Sequence, residues 1–120
     1  MSKSVPDAIM DAALDAVAAS TLQTVVSDSS TPTDLTGALA DVAMASGDFA
    51  KAQGDAGAGS RKLTMSAKSD VPVDEPGTPN HVVLSLGGTI KLITTCTGPN
   101  LTAGSTVNFP AWAYEIGIPT

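Results

Sequence analysis

Two short apolar runs joined by a pair of glycines dominate the pattern of hydrophobic and polar positions along the chain. They form the segment HVVLSLGGTIKLITT at positions 81–95, whose β-branched residues favour the two strands of a hairpin. Since side chains alternate between the faces of a strand, a regular two-residue turn would leave the two apolar sets on opposite faces. A three-residue loop or bulge, with one glycine in the left-handed conformation, instead sets Leu84 opposite Leu92. It also sets Leu86 opposite Ile90. We therefore expect an odd-numbered loop and a core-facing set made of Val82, Leu84, Leu86, Ile90 and Leu92.

A helical period marks the N-terminal part of the chain. Ser4 can cap a helix, and Pro6 suits its first turn. The apolar stripe that follows predicts an amphipathic helix over about 6–19, and it comprises Ile9, Met10, Ala13, Leu14 and Val17. Aspartates recur at every fourth position of this helix, at Asp7, Asp11 and Asp15. This row is either a face for a cation or a basic partner, or a solvated face, and we favour the solvated face.

The segments before the hairpin give mixed signals. TLQTVV at 21–26 is rich in β-branched residues and predicts a strand, followed by a loop at 27–32. The segment 35–45 fits both helical and strand spacing, and Gly37 disfavours a stable helix. The glycine-rich segment 46–60, with Phe49 as its apolar anchor, predicts a long loop that is a candidate contact surface.

Apolar and polar residues alternate clearly at 61–68, and this pattern predicts a strand with Leu63 and Met65 on one face. The proline-punctuated acidic segment 70–77 lacks the order of a calcium-binding EF-hand loop, and we interpret it as a solvated connection. The segment 105–118 predicts a last extended stretch. Its apolar phase changes at Pro110, so we expect a bulge or break there, on an edge if the segment pairs on only one side.

Together these elements predict an α+β fold that is mainly β. An N-terminal helix or arm at 1–20, lying outside the sheet or projecting to a neighbour, precedes a small antiparallel β-sandwich or sheet at 21–120. The length of 120 residues suits one domain. Its core must be aliphatic and small, so we expect marginal stability alone and a need for partner contacts.

Charge and targeting signals narrow the classes of partner. The chain has six basic and twelve acidic residues, a net charge of −6, which disfavours nucleic acid and anionic membranes as partners. We expect no signal peptide and no membrane span, since no apolar run has the necessary length. A single cysteine, Cys96, excludes an internal disulfide.

Residue types that carry chemistry are scarce. The only histidine, His81, heads the central strand, and no spacing forces a Ser-His-Asp or Cys-His pair. One His and one Cys cannot supply a zinc site within one chain, and the glycines do not form a phosphate-binding loop. We therefore predict no catalytic residue, no metal site and no cofactor. Trp112 and Tyr114 are interpreted as core residues with a hydrogen-bonded rim.

Seven segments together carry a family resemblance: SRKLT at 60–64, HVVL at 81–84, LITTC at 92–96, LTAGSTV at 101–107, FPAWAYEIGIPT at 109–120, DAIMDAALD at 7–15 and SGDF at 46–49. With them the chain resembles short virion proteins of tailed bacteriophages. The chain departs from the resemblance at 21–34, where we expected an aromatic residue or a Cys in the first strand and LQTVV stands instead. The resemblance implies a helix followed by a small β-domain in a virion component that is not an enzyme.

Two virion roles remain open at this point. One is a capsid decoration (cement) protein that binds the major capsid protein at the capsid surface and is assembled in the host cytoplasm. The other is a tail-fibre, receptor-binding or other tail-associated component. A single small domain without heptads or long repetitive β-structure favours decoration, as a homotrimer or other homo-oligomer. As partner-binding residues we nominate four that offer apolar groups beside polar or glycine-rich backbone: Ile9, Met10, Leu14 and Phe49.

Overall fold

One helix followed by antiparallel strands makes up the computed structural model, which describes residues 6–28 and 30–117. Helix α1 spans Asp7–Ala18, and a short 3-10 helix spans Ser46–Asp48. The strands are β1 (Leu22–Val26), β2 (Ala38–Ala43), β3 (Phe49–Gln53), β4 (Arg61–Met65), β5 (Lys68–Pro72), β6 (His81–Leu86), β7 (Thr89–Thr95), β8 (Thr106–Phe109) and β9 (Trp112–Ile116). The fold is therefore α+β and mainly β, as the sequence predicts.

The strands form three antiparallel sheets. A four-stranded sheet has the order β2-β1-β6-β7, a three-stranded sheet the order β3-β4-β9, and a two-stranded sheet pairs β5 with β8. Three of the six pairings join strands that are distant in the chain, namely β1 with β6, β4 with β9 and β5 with β8. The predicted hairpin supplies β6 and β7 and so forms half of the largest sheet.

Two clusters of buried side chains hold the sheets together. The first core cluster joins the four-stranded and two-stranded sheets, and consists of Val25, Leu39, Ala40, Val71, Val73, Leu101 and Phe109. The second core cluster joins the helix to the three-stranded and four-stranded sheets, and consists of Leu14, Val17, Met44, Leu63, Met65 and Leu84. Both clusters are almost wholly aliphatic, as expected from the composition, and the four-stranded sheet contributes to each.

Helix α1 lies against the sheets and does not project from them. Met10, Leu14 and Val17 are buried, and the helix packs mainly on β4 with smaller contacts to β3 and β7. The predicted bounds agree with the structure to within one residue at each end. Ser4, the predicted cap, lies outside the described residues, and Pro6 occupies the N-cap position without a side-chain cap. Of the two predicted placements, outside the sheet or projecting to a neighbour, the projection is wrong, because the apolar stripe is used within the chain.

The central hairpin differs from its prediction at the turn. Gly87 and Gly88 both have positive φ, of 57° and 85°, and form a two-residue turn that sets Leu86 opposite Thr89. The extra residue enters as a bulge in β7, between the pairs Ser85–Ile90 and Leu84–Leu92. The Leu84–Leu92 pair is thus confirmed, whereas the Leu86–Ile90 pair and the odd-numbered loop are wrong.

The physical reason lies in the backbone of the turn. A turn with two positive φ values has the same twist as the strands it joins, and two glycines adopt it without steric cost. The bulge, not the loop, then restores the apolar register. Leu86 beyond the bulge is 38% exposed and does not face the core, while Val82, Ile90 and Leu92 are half-buried.

Three other predictions about elements change. The predicted long loop at 46–60 contains β3, because β4 offers it a complete antiparallel partner. The predicted acidic connection at 70–77 overlaps β5, which pairs with β8 through an irregular register. The ambiguous segment 35–45 contains strand β2.

The predicted break at Pro110 is confirmed, because Pro110 separates β8 from β9. Each of these two strands pairs with one described strand only.

Candidate functional site

The four nominated partner-binding residues have different environments. Ile9 is 62% exposed, whereas Met10 and Leu14 are 3% and 0% exposed and belong to the interior of this chain. Phe49 is half-buried and packs against the second core cluster. Met10 and Leu14 are therefore corrected as partner contacts, because the three-stranded sheet already covers them. Ile9 and part of Phe49 remain accessible.

The aspartate row of α1 is used inside the molecule. Asp11 accepts two hydrogen bonds from Arg61, at 2.8 Å from Nε and 3.3 Å from Nη2, and Asp15 accepts one from Lys51 at 2.6 Å. The hydrogen bond from Arg61 lowers the pKa of Asp11 below its ordinary value. The prediction that the aspartate row is a solvated face is thus only partly right. These ion pairs hold one flank of the helix against β3 and β4. Successive residues turn by about 100°, so Ile9 lies on the opposite flank from Asp11.

Asp48 is the most strongly engaged carboxylate in the described residues. Its side chain accepts hydrogen bonds from the Ala45 amide at 2.8 Å, from the Ser66 hydroxyl at 2.8 Å and from Lys68 Nζ at 2.9 Å. These hydrogen bonds lower the pKa of Asp48 to about 2, and the bond from the Ala45 amide has the largest effect. The side chain is 18% exposed, so solvent screens the network only in part. It fixes the entry to β3 against the link between β4 and β5.

Replacing Asp48 by asparagine should lower the free energy of unfolding by about 1–2 kcal/mol at pH 7, because three charge-assisted hydrogen bonds are weakened. A carboxylate whose folded pKa lies below its ordinary value of 3.8 stabilises the fold above that value. This contribution is lost as the pH falls from about 4 towards 2, so the difference between wild type and variant should shrink over that range. Urea unfolding followed by far-ultraviolet circular dichroism at several pH values measures the free-energy difference at pH 7 and its decrease at lower pH.

Asp41→Asn is the control, because it removes the same charge at an exposed position of β2. A difference that stays constant down to pH 2 would contradict the role of the carboxylate.

The histidine and the cysteine lie on neighbouring segments, since His81 pairs with Thr95 and the Cys96 amide donates to the Asn80 carbonyl at 3.0 Å. His81 Nδ1 is 2.8 Å from the Oδ1 of Asn80, whose amide also pairs with the backbone of Asp28. Burial raises the pKa of the Cys96 thiol, which leaves it less reactive. Within residues 6–28 and 30–117, no three His, Cys, Asp or Glu side chains are grouped to hold a metal. No helix in these ranges combines the length and apolar character needed to cross a bilayer.

Six of the nine described strands lie at the edges of their sheets. Among the described strands, β3 and β9 each pair with β4 only, and β7 pairs with β6 only. Beyond Phe49, the side chains of β3 are exposed along its whole length. An edge strand presents unpaired main-chain N–H and C=O groups that can pair with another chain. These edges are therefore candidate surfaces for contact with another chain.

A cleft of about 440 Å³ opens between the four-stranded sheet and the segment from β8 to β9. Val25 and Val82 line it on one side and Phe109 and Trp112 on another, while the connection after β7, from Cys96, completes its wall. Its volume falls within the range of about 300–1,000 Å³ that ligand pockets usually have. The cleft is a second candidate site, distinct from the helix flank that carries Ile9.

One hydrogen bond crosses the cleft region. Trp112 Nε1 donates to Gln23 Oε1 at 3.2 Å and so joins β9 to β1. The interpretation of Trp112 as a core residue with a hydrogen bond is confirmed, because it also packs against the second core cluster. Tyr114 is 39% exposed. Gln23 is not among the predicted site residues, although a glutamine within the β-branched run at 21–26 can signal a buried polar group.

The helix flank, the edge strands and the cleft are thus the surfaces from which a function can be argued. All three are built from residues of this chain, and none depends on a bound group. Comparisons of the chain with models of protein families, with curated proteins and with solved structures find no match.

Proposed function

We propose that the protein decorates the capsid of a tailed bacteriophage, binding the major capsid protein at the outer surface of the virion. The resemblance of its segments to short virion proteins supports this role, as does its net charge of −6, which does not suit a nucleic-acid partner. We further propose that it acts as a homotrimer or other homo-oligomer and is assembled in the host cytoplasm. Catalysis has no part in the proposal.

The observation that carries the proposal is the number of open strand edges on so small a domain. Six of the nine described strands, β2, β3, β5, β7, β8 and β9, pair with one described strand only. Monomeric proteins usually cover, charge or shorten such edges, because they promote association. On β3 only Lys51 carries a charge, and its ammonium group is held by Asp15. A shell of repeated subunits would cover these edges permanently.

The contact surface that we propose includes Ile9 on the free flank of α1 and Phe49 at the start of β3. Each offers a limited apolar area, so a single copy would bind weakly. Oligomerisation joins several such contacts and raises the apparent affinity without enlarging any one interface. A small acidic protein with an undersized core fits this many-copy arrangement better than it fits one distal receptor-binding tip.

Copy number per particle tests the proposed role. In purified virions that contain this protein, mass spectrometry with labelled reference peptides should find dozens to hundreds of copies, scaling with the major capsid protein. Such a ratio is expected because a shell offers many equivalent positions. A handful of copies per particle would reject decoration in favour of a tail component. Particles separated into heads and tails provide the control, since a decoration protein should follow the heads.

A further inference from the structure

The cleft between the four-stranded sheet and the segment from β8 to β9 carries an inference that goes beyond decoration. None of the described residues that line it is charged, although the whole chain has six basic and twelve acidic residues. A charged group that enters such surroundings loses hydration and gains no partner of opposite charge. The cleft therefore favours uncharged ligands.

One wall of the cleft is a face of the four-stranded sheet. Val25, Val82 and Thr94 are direct neighbours on β1, β6 and β7, and all three line the cleft. Adjacent strands lie about 4.8 Å apart, so these three β-branched side chains form an even row about 10 Å long, which we call the platform. A flat ring system can contact such a platform over its whole face.

The segment from β8 to β9 supplies a second wall with two aromatic side chains, Phe109 and Trp112, which we call the aromatic wall. The indole Nε1 of Trp112 donates to Gln23 Oε1, and this hydrogen bond holds the ring in place. Aromatic side chains prefer offset-stacked or edge-to-face contacts with other rings. A planar ring between the platform and the aromatic wall would therefore make favourable contacts on both sides.

Burial and polarity change together along the cleft. Its buried lining residues include Val25, Leu101 and Phe109, which belong to the first core cluster. Its exposed lining residues include Thr97 and Asn108, which carry a hydroxyl and a carboxamide. Ligand pockets commonly combine an apolar lining with a few polar groups that fix the orientation of the ligand. A matching ligand has an apolar body and one neutral polar group at the exposed rim.

We infer that the cleft binds a small uncharged molecule with one or two fused aromatic rings and one neutral hydrogen-bonding group, such as an alcohol, a phenol or an amide. The rings lie between the platform and the aromatic wall, and the polar group lies at the exposed rim. The volume of about 440 Å³ accommodates a molecule of this size. The inference does not depend on the capsid role, because it follows from the lining of the cleft alone.

The chain carries its own reporters for a binding test. Trp112 is the only tryptophan and Cys96 the only cysteine, and both line the cleft. As a probe we choose naphthylmethanol, with naphthoate and naphthylmethylammonium as charged counterparts, each substituted at the β carbon of the same rings. In heteronuclear NMR spectra, the neutral probe should shift the single indole N–H signal saturably, and it should slow the modification of Cys96 by a thiol reagent. Each charged probe should bind at least about tenfold more weakly, since its charge loses hydration in the cleft.

Two matched variants place the same new side chain inside and outside the cleft. Thr94 is a half-buried member of the platform, whereas Thr89, on the same strand, is exposed and does not line the cleft. Thr94→Phe should fold, because its ring enters open space, and it should weaken the binding of naphthylmethanol by at least about tenfold. Thr89→Phe should change this binding by less than about twofold. The three probes test the wild-type chain without any substitution.

The alcohol n-octanol serves as a control for the shape of the ligand. It is uncharged and apolar but has no ring, so it should bind about fivefold more weakly than naphthylmethanol. Equal or tighter binding of n-octanol would overturn the inference, because it would assign the cleft to flexible apolar chains.

Three further results would also overturn the inference: no saturable shift with the neutral probe, equal binding of the three naphthyl probes, or equal effects of the two variants. Copy number in the virion plays no part in this test, so its failure is distinct from failure of the decoration role.

Discussion

Truncation of Leu14 to alanine should lower the free energy of unfolding by about 3 kcal/mol, within the range of about 2–5 kcal/mol for buried leucines. Leu14 is fully buried and packs in the second core cluster together with Leu63 and Met65. A helix of twelve residues is not stable by itself in water, so α1 depends on this anchor. Urea unfolding followed by the fluorescence of Trp112, which packs against the same cluster, measures the loss.

Ile9→Ala is the matched control for that prediction. Ile9 lies on the same helix but is 62% exposed, so its truncation should change the free energy of unfolding by less than about 0.5 kcal/mol. Equal losses for the two variants would contradict the docking of the helix through Leu14. A loss confined to Leu14→Ala would support it, and would leave Ile9 free for the proposed contact with the capsid.

Gly37→Ala should lower the free energy of unfolding by about 2–3 kcal/mol and the Tm by about 10 °C. Gly37 has a φ of +84°, which side chains other than glycine rarely adopt, and an added Cβ would collide with the carbonyl oxygen of Ser27. Gly37 also accepts a hydrogen bond from the Ser27 amide at 3.0 Å, just beyond the paired part of β1 and β2. Displacement of this backbone would loosen the edge of the four-stranded sheet. Thermal unfolding by circular dichroism gives the Tm.

Gly47→Ala provides the comparison for Gly37→Ala. A Cβ at Gly47 meets no atom within 4 Å, and its φ is not in the left-handed region. We therefore expect a change of less than about 0.5 kcal/mol. An unchanged Tm for Gly37→Ala would refute the tight approach of Gly37 to Ser27.

Local sequence patterns predict those elements whose pattern reflects one buried face. Helix α1 and strand β4 have such patterns, whereas β1 is predicted by its β-branched residues and is buried on both faces. The break at Pro110 follows from a missing N–H and a change of phase. Strand β3 shows no such pattern, because the residues after Phe49, AKAQ, are all exposed and include no large apolar side chain. It is a strand because β4 offers it hydrogen-bond partners, and sequence propensity does not contain that information.

The candidate sites could not be predicted fully, because local sequence does not show which segments become neighbours in the fold. The apolar stripe of α1 correctly indicates a buried face, but it cannot tell whether this chain or a partner covers it. Met10 and Leu14 were therefore nominated as partner contacts although β4 is their neighbour. The Gln23–Trp112 hydrogen bond joins residues 89 positions apart, so only the tertiary structure brings the donor and the cleft together.

The pairing of β9 with β4 has a consequence for the synthesis of the protein. Strand β4 is synthesised before its partner at 112–116, so one side of β4 has no partner during this interval. Non-local strand pairing is slow, and unpaired edges of incomplete chains associate with one another. The three-stranded sheet is therefore completed late in folding. When many copies are translated at once, their yield of assembled protein depends on how quickly the last strand reaches the sheet.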